Sequence, residues 1–345
     1  MNHILIIRLS AIGDIVFASP FAAAVKKTYP NARLSWLVDQ SLISLVDQSP
    51  YIDECIPIDS ANIRNLWKSG QKREAVKTLA ALGSGLKARQ FDVAIDLQGL
   101  IKSGFLAWLT KAPRRISLGG REGSRFLMNE VYSRGGSKGD FGSEYRFLAD
   151  QLKLDTGAFL PELFLNEEAQ KTAQQKLSDV SLAPKKYMVF AAFTTRPQKH
   201  WFIEHWRELA NHVVQQTPFI PVLLGGKANV ESAQKLCDGT PIVNLVGQTS
   251  LAETMAMVAD AGALIGVDTG LTHMGVAFNI PTVALFGSTC PYLDTHKNNA
   301  QVIWLHMRCS PCRRSPTCEG AWTCLKNITP ERVIARLMPI LDGAR

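Results

Sequence analysis

Short apolar runs of strand length alternate with segments of helical periodicity through most of the chain. This rhythm is typical of βαβ units, in which each parallel strand is followed by a crossover helix. The predicted strands are Ile4–Ile7, Leu34–Val38, Cys55–Ile58, Val93–Asp96, Arg115–Ser117, Tyr187–Ala191, Pro221–Leu224, Ile242–Leu245, Ala263–Val267 and Thr282–Phe286.

A polar stretch from Leu154 to Pro184 separates two such series of elements. The chain has 345 residues, too many for one ordinary core and enough for two domains of roughly 150 to 170 residues each. We therefore predict an α/β protein with two Rossmann-like domains, residues 1–160 and 161–345, that face each other across a cleft.

Composition and charge narrow the functional classes only slightly. Apolar residues make up 46% of the chain and charged residues 20%, which is typical of a globular protein. Arg8 and Asp14 interrupt the apolar N-terminus, and no apolar run is long enough to cross a bilayer, so we expect a cytoplasmic protein. We also expect a monomer. The net charge of +8 is compatible with a nucleic acid, an anionic membrane or a phosphorylated substrate as partner.

The segment after the first strand reads Arg8-Leu-Ser-Ala-Ile-Gly13-Asp14. Ligands of open α/β sheets bind beyond the carboxyl ends of the strands, so these residues are candidates for a site. Asp14 has two interpretations, an N-cap of the following helix or a general base at the cleft. The absence of a G-x-G-x-x-G motif disfavours a dinucleotide site.

The strongest segment of the second half is Asp268-Thr269-Gly270-Leu271-Thr272-His273, which joins a buried strand directly to a helix. Free N–H groups and the helix dipole make such a helix start an anion site. The loop after the Tyr187–Ala191 strand adds hydroxyls and a cation, which suit a phosphate group. Its candidate residues are Thr194, Thr195 and Lys199.

A second polar segment in the first half, Asp96-Leu-Gln98-Gly-Leu-Ile-Lys102, follows the fourth predicted strand. Basic residues dispersed around it would suit a phosphorylated acceptor if they converge. The candidate acceptor-binding residues are Ser10, Gly13, Arg64, Gln98, Lys102, Arg121 and Arg125.

Four cysteines cluster near the C-terminus: Cys309, Cys312, Cys318 and Cys324. A C-x₂-C pair followed by two further cysteines could bind a structural zinc or iron ion. The wider second pair leaves reduced thiols or a disulfide as alternatives. Four thiolates would leave no open coordination position, so we expect no metal in catalysis.

Together these segments resemble glycosyltransferase family 9, the bacterial lipopolysaccharide heptosyltransferases. The resemblance rests on Ile-Leu-Ile-Ile-Arg-Leu-Ser-Ala-Ile-Gly-Asp, Asp-Leu-Gln-Gly-Leu-Ile-Lys-Ser, Lys-His-Trp with His-Trp-Arg-Glu-Leu, and Val-Asp-Thr-Gly-Leu-Thr-His-Met with Pro-Thr-Val-Ala-Leu-Phe-Gly-Ser-Thr. It implies a GT-B fold and an inverting, metal-independent transfer of heptose from ADP-heptose to a Kdo–lipid A acceptor. The acceptor would bind the N-terminal domain and the donor the C-terminal domain, at the inner face of the inner membrane.

The resemblance also implies residue roles. Asp14 matches the family's proposed catalytic base and Lys199 its donor-phosphate lysine, while Asp268, Thr269, Gly270 and His273 match its donor loop. The glutamine-glycine segment with Lys102 is similar to the type that adds the first heptose. Ala228 stands where some such enzymes place a carboxylate against the donor's adenosine, which leaves the donor's identity open.

Four rival functions follow from the same residues. A GT-B enzyme that uses another nucleotide sugar or another acceptor would keep the same motifs. A nucleotide-sugar epimerase would also need the donor loop, although not a basic acceptor surface. A basic nucleic-acid-binding protein would explain the charge, but no RNP-like stretch or zinc-finger spacing is present, so we expect no nucleic-acid partner. A membrane scaffold without catalysis would leave Asp14 and Lys199 unexplained.

Overall fold

The computed structural model describes residues 1–137 and 139–342. The chain divides into two compact units, one formed by Met1–Ser137 with Gly142–Phe164, the other by Lys138–Phe141 with Leu165–Arg345. The short segment before Gly142 therefore belongs to the second unit although the first unit surrounds it in sequence. The predicted functional division between residues 1–160 and 161–345 stays a prediction.

The first unit is a six-stranded parallel sheet with strand order β3-β2-β1-β4-β5-β6. Its strands are β1 His3–Ile7, β2 Arg33–Asp39, β3 Glu54–Ile58, β4 Val93–Asp96, β5 Arg114–Leu118 and β6 Glu130–Tyr132. Its helices are α1 Ile12–Thr28, α2 Ser60–Lys68, α3 Lys72–Ala88, α4 Ile101–Leu109 and α5 Ser143–Gln151. A 3₁₀ segment, Arg121–Leu127, packs along α4.

The second unit has a sheet of the same kind, with strand order β12-β11-β10-β7-β8-β9. Its strands are β7 Tyr187–Ala191, β8 Ile220–Leu223, β9 Val243–Asn244, β10 Ala263–Val267, β11 Thr282–Phe286 and β12 Ala300–Trp304. Its helices are α6 Glu167–Asp179, α7 Ile203–Gln216, α8 Val230–Cys237, α9 Leu251–Ala259, α10 Gly270–Ala277, α11 Thr323–Lys326 and α12 Pro330–Asp342.

The central strands form because their side chains are apolar on both faces. All five residues of β7, β10 and β11 are buried, as parallel strands covered by helices on both sides require. Every pairing in both sheets is parallel, so the predicted α/β architecture of two Rossmann-like domains is confirmed. The unpredicted strands β6 and β12 lie at sheet edges, where half-exposed residues blur the apolar pattern.

The core of the second unit explains part of the sequence pattern. Trp201 and Trp206, from the Lys-His-Trp and His-Trp-Arg segments, are buried with their rings 5.0 Å apart. The indole N–H of Trp201 donates to the carbonyls of Leu325 and Ile328, which fixes the chain before α12. These tryptophans therefore hold the core together. Within the described residues, no helix is both long enough and apolar enough to cross a bilayer.

Candidate active site

The strand order defines where a ligand would bind each unit. Beside β1 lie β2 on one side and β4 on the other, and β7 has β8 and β10 as its neighbours. In open α/β sheets the chain leaves such a central pair in opposite directions, which opens a crevice at the carboxyl ends of the two strands. The polar segments predicted from the sequence follow β1, β4, β7 and β10, and thus all lie at these two positions.

In the first unit, Asp14 lies in the first turn of α1, two residues after its first residue, Ile12. Ala11 occupies the N-cap position, so the interpretation of Asp14 as the N-cap itself is wrong. Its carboxylate nevertheless accepts from the N–H of Ala11, and the same oxygen, Oδ2, pairs with the Arg8 guanidinium. Among the described residues Oδ1 has no partner, and the side chain is 42% exposed. One carboxylate oxygen is fixed and the other is accessible.

Arg8 is buried beneath this carboxylate, at the end of β1. Its guanidinium also donates to the carbonyl of Leu97, 3.1 Å away, and lies 5.9 Å from the ring centre of Tyr145 on α5. Arg8 Nε and the buried Tyr145 hydroxyl have no hydrogen-bond partner within residues 1–137 and 139–342. Buried polar atoms normally have partners, so ordered water or a ligand is expected beside them.

The turn after β4 is built around Asp96. One carboxylate oxygen accepts from the N–H groups of Gln98 and Gly99, and the other from the Ser103 hydroxyl. Burial raises the pKa of this carboxyl, and the hydrogen bonds and Arg8 offset only part of that effect. Gly99 has φ +66°, and a Cβ there would come 2.3 Å from the carbonyl of Leu118, so only glycine fits.

In the second unit, Asp268 follows β10 and gathers polar groups from three segments. Its Oδ2 lies 2.6 Å from Lys199 Nζ and accepts from the Thr289 hydroxyl. Its Oδ1 lies 3.2 Å from His273 Nε2. Burial alone would raise the pKa of Asp268, but the His273 hydrogen bond and the charges of His273 and Lys199 hold it well below its usual range. Asp268 is thus an anion held among positive and donor groups.

The contacts of His273 determine its protonated nitrogen. A carboxylate only accepts hydrogen bonds, so Nε2–H must donate to Asp268. The other ring nitrogen, Nδ1, lies within hydrogen-bond distance of the Tyr292 hydroxyl, 3.0 Å away. Tyr292 is fully buried, and its ring packs against Phe141 at 4.7 Å and Phe286 at 5.0 Å. This aromatic support holds the histidine in one orientation.

The start of α10 supplies donors of a different kind. Thr269 is the N-cap, and within the described residues the N–H groups of Gly270 and Leu271 donate to no acceptor. Both residues are half-exposed, so an anion can reach these groups and the positive end of the helix dipole. Thr272 is different, because it is buried and its hydroxyl donates to the carbonyl of Val267.

Residues 79–323 match the family described as glycosyltransferase family 9 (heptosyltransferase). The chain belongs to glycosyltransferase family 9. Lipopolysaccharide heptosyltransferase 1 of Pseudomonas aeruginosa is 27% identical over 360 residues, which cover 98% of each chain. The predicted membership and the prediction of a glycosyltransferase are confirmed.

Solved structures share the fold. A family 9 glycosyltransferase from Veillonella parvula superposes with a TM-score of 0.86 and 22% identity, covering 99% of this chain and 98% of its own. The E. coli heptosyltransferase WaaC, solved with ADP-2-deoxy-2-fluoro heptose, gives a TM-score of 0.72 and 23% identity over 98% and 99%. The predicted GT-B fold is thereby confirmed.

In this glycosyltransferase three of the predicted donor residues, Lys199, Asp268 and His273, form one cluster in the second unit. Lys199 and His273 both contact Asp268, and Gly270 begins the adjoining helix. Thr194 and Thr195 lie between β7 and Lys199, and the carbonyl of Thr194 contacts His200 Nε2 at 2.9 Å. The Thr272 hydroxyl is bonded within the unit and is not directed toward a ligand. The donor roles of these residues stay predictions.

The predicted acceptor residues of the glycosyltransferase are more scattered in the first unit. Ser10 and Gly13 flank the start of α1, and Lys102 lies exposed in the first turn of α4. The buried Gln98 uses its side-chain oxygen to accept from the N–H of Leu9, which is a structural contact. The remaining three are exposed, Arg64 on α2 and Arg121 and Arg125 on the 3₁₀ segment. Acceptor binding by this set stays a prediction.

Three residues of these sites were not predicted from the sequence: Arg8, Tyr145 and Tyr292. Arg8 belongs to the first motif, but no role was predicted for it. Nothing in the sequence indicates that a cation at the end of a strand is buried. Tyr145 and Tyr292 lie outside every motif. The loop containing Tyr292 follows the Gly-Ser-Thr289 segment, and that proximity was the only available signal.

The four clustered cysteines of the glycosyltransferase are free and line one cavity of about 50 Å³. Cys309 is exposed and Cys324 is buried. Among the described residues, the only group of three ligand atoms within 4.8 Å of one another is Glu208, His212 and Glu331. The thiols are therefore near each other without forming a coordination shell, and the predicted metal site stays a prediction.

Proposed function

We propose that this enzyme transfers heptose from ADP-heptose to the Kdo–lipid A inner core of lipopolysaccharide, as the type that adds the first heptose. The family and the Pseudomonas aeruginosa relative, a lipopolysaccharide heptosyltransferase 1, support this reaction. The E. coli heptosyltransferase solved with an ADP-heptose analogue supports the donor. The observation that carries the proposal is the cluster of Lys199, Asp268 and His273 at the start of α10.

The donor diphosphate is proposed to bind at this cluster. The ammonium of Lys199 has three N–H donors, so it can contact phosphate oxygens while it stays paired with Asp268. The N–H groups of Gly270 and Leu271 add two uncharged donors. When the sugar–phosphate bond breaks, negative charge builds on the departing ADP, and donors already in position stabilise it without reorganisation. The chain's own cations thus serve the leaving group, and we propose that transfer requires no metal.

The acceptor is proposed to be activated by Asp14. Its accessible Oδ1 would take the proton of the acceptor hydroxyl while that oxygen attacks the anomeric carbon opposite the diphosphate. One carbon–oxygen bond forms as the bond to ADP breaks, and the configuration at the anomeric carbon inverts. Arg8 would hold Oδ2, which orients the carboxylate for this proton transfer.

The anionic acceptor is proposed to be held by the basic residues of the first unit, Arg64, Lys102, Arg121 and Arg125. Because such an acceptor is lipid-linked, we propose that the enzyme is cytoplasmic and peripheral to the inner membrane. We also propose that it acts as a monomer. We propose no nucleic-acid partner.

A calorimetric titration followed by a turnover assay tests the proposal. The protein is titrated with ADP, ADP-heptose and UDP-sugars, and ADP release is then measured with and without Kdo–lipid A. Selective binding of ADP-heptose with acceptor-dependent ADP release is expected. Preference for a UDP-sugar would leave the glycosyltransferase activity standing and refute ADP-heptose as the donor. This comparison matters because Ala228 stands where some first-heptose enzymes have a carboxylate against the adenosine. Absence of nucleotide binding would overturn the donor site itself.

We also propose that Cys309, Cys312, Cys318 and Cys324 bind a structural zinc or iron ion, apart from the transfer. Their shared cavity and their free state support it, and binding would draw the thiols to about 2.3 Å from the metal. Metal analysis of the purified chain should find one ion per molecule, lost in Cys309→Ser/Cys312→Ser. A metal-free protein after purification with zinc or iron present would refute this proposal.

A further inference from the structure

The exposed side of α4 in the first unit is unusually apolar. Ile101, Phe105 and Trp108 are spaced four and three residues apart, so they lie on one face of the helix, and all three are exposed. The rings of Phe105 and Trp108 stack with their centres 6.0 Å apart. Phe126, on the 3₁₀ segment that packs along α4, is 83% exposed. We call these four side chains the aromatic patch.

Cations accompany the aromatic patch. Lys111 Nζ lies 3.4 Å from the ring centre of Trp108, and the Arg125 guanidinium lies 5.5 Å from that of Phe126. Lys102 and Arg121 are exposed on the same two elements. The carboxylate of Glu122 accepts from the N–H of Ile101 at the start of α4. Exposed aromatic rings edged by positive charge are typical of surfaces that enter the headgroup region of a bilayer.

We propose that the aromatic patch docks the enzyme on a bilayer containing anionic phospholipid. This deepens the proposed function, on which it rests, because that function requires an acceptor embedded in a membrane. The rings would enter the boundary between headgroups and acyl chains, and the surrounding lysines and arginines would contact lipid phosphates. Each cation near such a surface strengthens binding about fivefold.

The size of the aromatic patch favours a bilayer over a protein partner. With ring side chains of ~200 Å² each, the exposed fractions of Phe105, Trp108 and Phe126 correspond to about 320 Å² of surface, and Ile101 adds to it. This area is comparable to the largest apolar patch on a typical monomer, which is often functional. It is about half of the ~800 Å² per partner that a stable protein interface buries. Shallow insertion combined with charge attraction needs no larger area.

The position of α4 in the first unit also favours a bilayer as the partner of the aromatic patch. The helix begins directly after the turn of Gln98 and Gly99, at the carboxyl edge of the sheet where the acceptor is proposed to bind. Lys102 lies in the first turn, and Phe105 and Trp108 continue along the same helix. An acceptor sugar could therefore reach this edge while its lipid stays in the bilayer that the aromatic patch contacts.

Vesicle flotation with the full chain tests the proposal. Wild type and Phe105→Ser/Trp108→Ser are mixed with vesicles of phosphatidylcholine alone or with about 30% phosphatidylglycerol. The wild type should float only with the anionic vesicles, and the double variant should lose at least about tenfold in partitioning. The matched control is Ile203→Ser/Val214→Ser, which removes two similarly exposed apolar residues from α7 of the second unit. This control should float as the wild type does.

Two further readouts separate this proposal from the proposed function. ADP affinity, and turnover of a water-soluble Kdo acceptor without lipid chains, should be unchanged in Phe105→Ser/Trp108→Ser, which also reports correct folding. Unchanged flotation of the double variant would overturn the docking surface and leave the transfer reaction intact. Wild-type flotation without any ADP-heptose turnover would overturn the reaction and leave the docking surface. If neither protein floats, and the wild type is a dimer while the double variant is a monomer, the aromatic patch is a self-association surface. That result would refute docking on a bilayer.

Discussion

Asp268→Asn should destabilise the second unit, and by an amount that depends on pH. The carboxylate pairs with Lys199 at 2.6 Å and contacts His273 and Thr289, while its side chain is only 11% exposed. Removing one partner of a buried ion pair costs about 3–5 kcal/mol. The asparagine oxygen can still accept one hydrogen bond, worth about 1 kcal/mol. We therefore expect a loss of about 2–4 kcal/mol in the free energy of unfolding at pH 7.

The pH dependence of this loss follows from the lowered pKa of Asp268. In the unfolded chain an aspartate has a pKa of about 3.9. Near that pH the unfolded state therefore binds a proton at this carboxyl, whereas in the folded state the carboxyl stays ionised. The stabilisation is fully present above that value and is lost as the pH falls toward the lower pKa of the folded state. The difference between wild type and variant should therefore shrink as the pH falls below about 4.

Urea unfolding at pH 7, 5, 4 and 3, followed by tryptophan fluorescence, measures this difference. Asp342→Asn is the matched control, because Asp342 is exposed in the same unit and has no ion pair among the described residues. The control should unfold as the wild type does at each pH. A wild-type-to-variant difference that stays the same at pH 3 and pH 7 would show that the carboxylate's charge is not what stabilises the site.

Four further substitutions test other parts of the structure. Asp14→Asn should lower kcat at least about 100-fold while ADP affinity, measured by calorimetry, stays unchanged; near-normal turnover would rule out the base. Lys199→Ala should weaken ADP binding about tenfold or more, and unchanged affinity would remove Lys199 from the phosphate site. Tyr292→Phe should cost about 1–3 kcal/mol in unfolding experiments because His273 loses its buried hydrogen bond to the tyrosine hydroxyl, and an unchanged unfolding free energy would contradict this contact. Gly99→Ala should lower the unfolding temperature, since φ +66° and the Leu118 carbonyl exclude a Cβ.

The sequence was informative about the fold because central parallel strands leave a continuous apolar run. β1, β4, β7, β10 and β11 are buried on both faces, and each was predicted within a residue of its observed bounds. Two of the four edge strands, β6 and β12, lack that signal, whereas the edge strands β3 and β9 were predicted. β6 has no buried residue and β12 only one, so polar and apolar positions mix and no strand is apparent.

The candidate sites were predictable where a strand end, a glycine and a helix start coincide in sequence, as at Asp268 and Gly270. Contacts made over long sequence distances were not. Arg8 meets Tyr145 only in the folded chain, and Tyr292 reaches His273 from a loop without a motif. Thr272 shows the opposite case. Its place in the motif predicted a contact with the donor, but its hydroxyl donates to the carbonyl of Val267.

The short segment that the second unit takes from within the first has a practical consequence for dissecting the enzyme. The N–H of Phe141 donates to the carbonyl of Asp294, and its ring packs on Tyr292, whose hydroxyl orients His273. A single cut near residue 164 would therefore give a C-terminal fragment without part of its own histidine support. Only four positions farther along, Tyr145 packs beside Arg8. Backbone amide exchange over residues 139–145, measured with and without ADP, would thus monitor both units with one peptide.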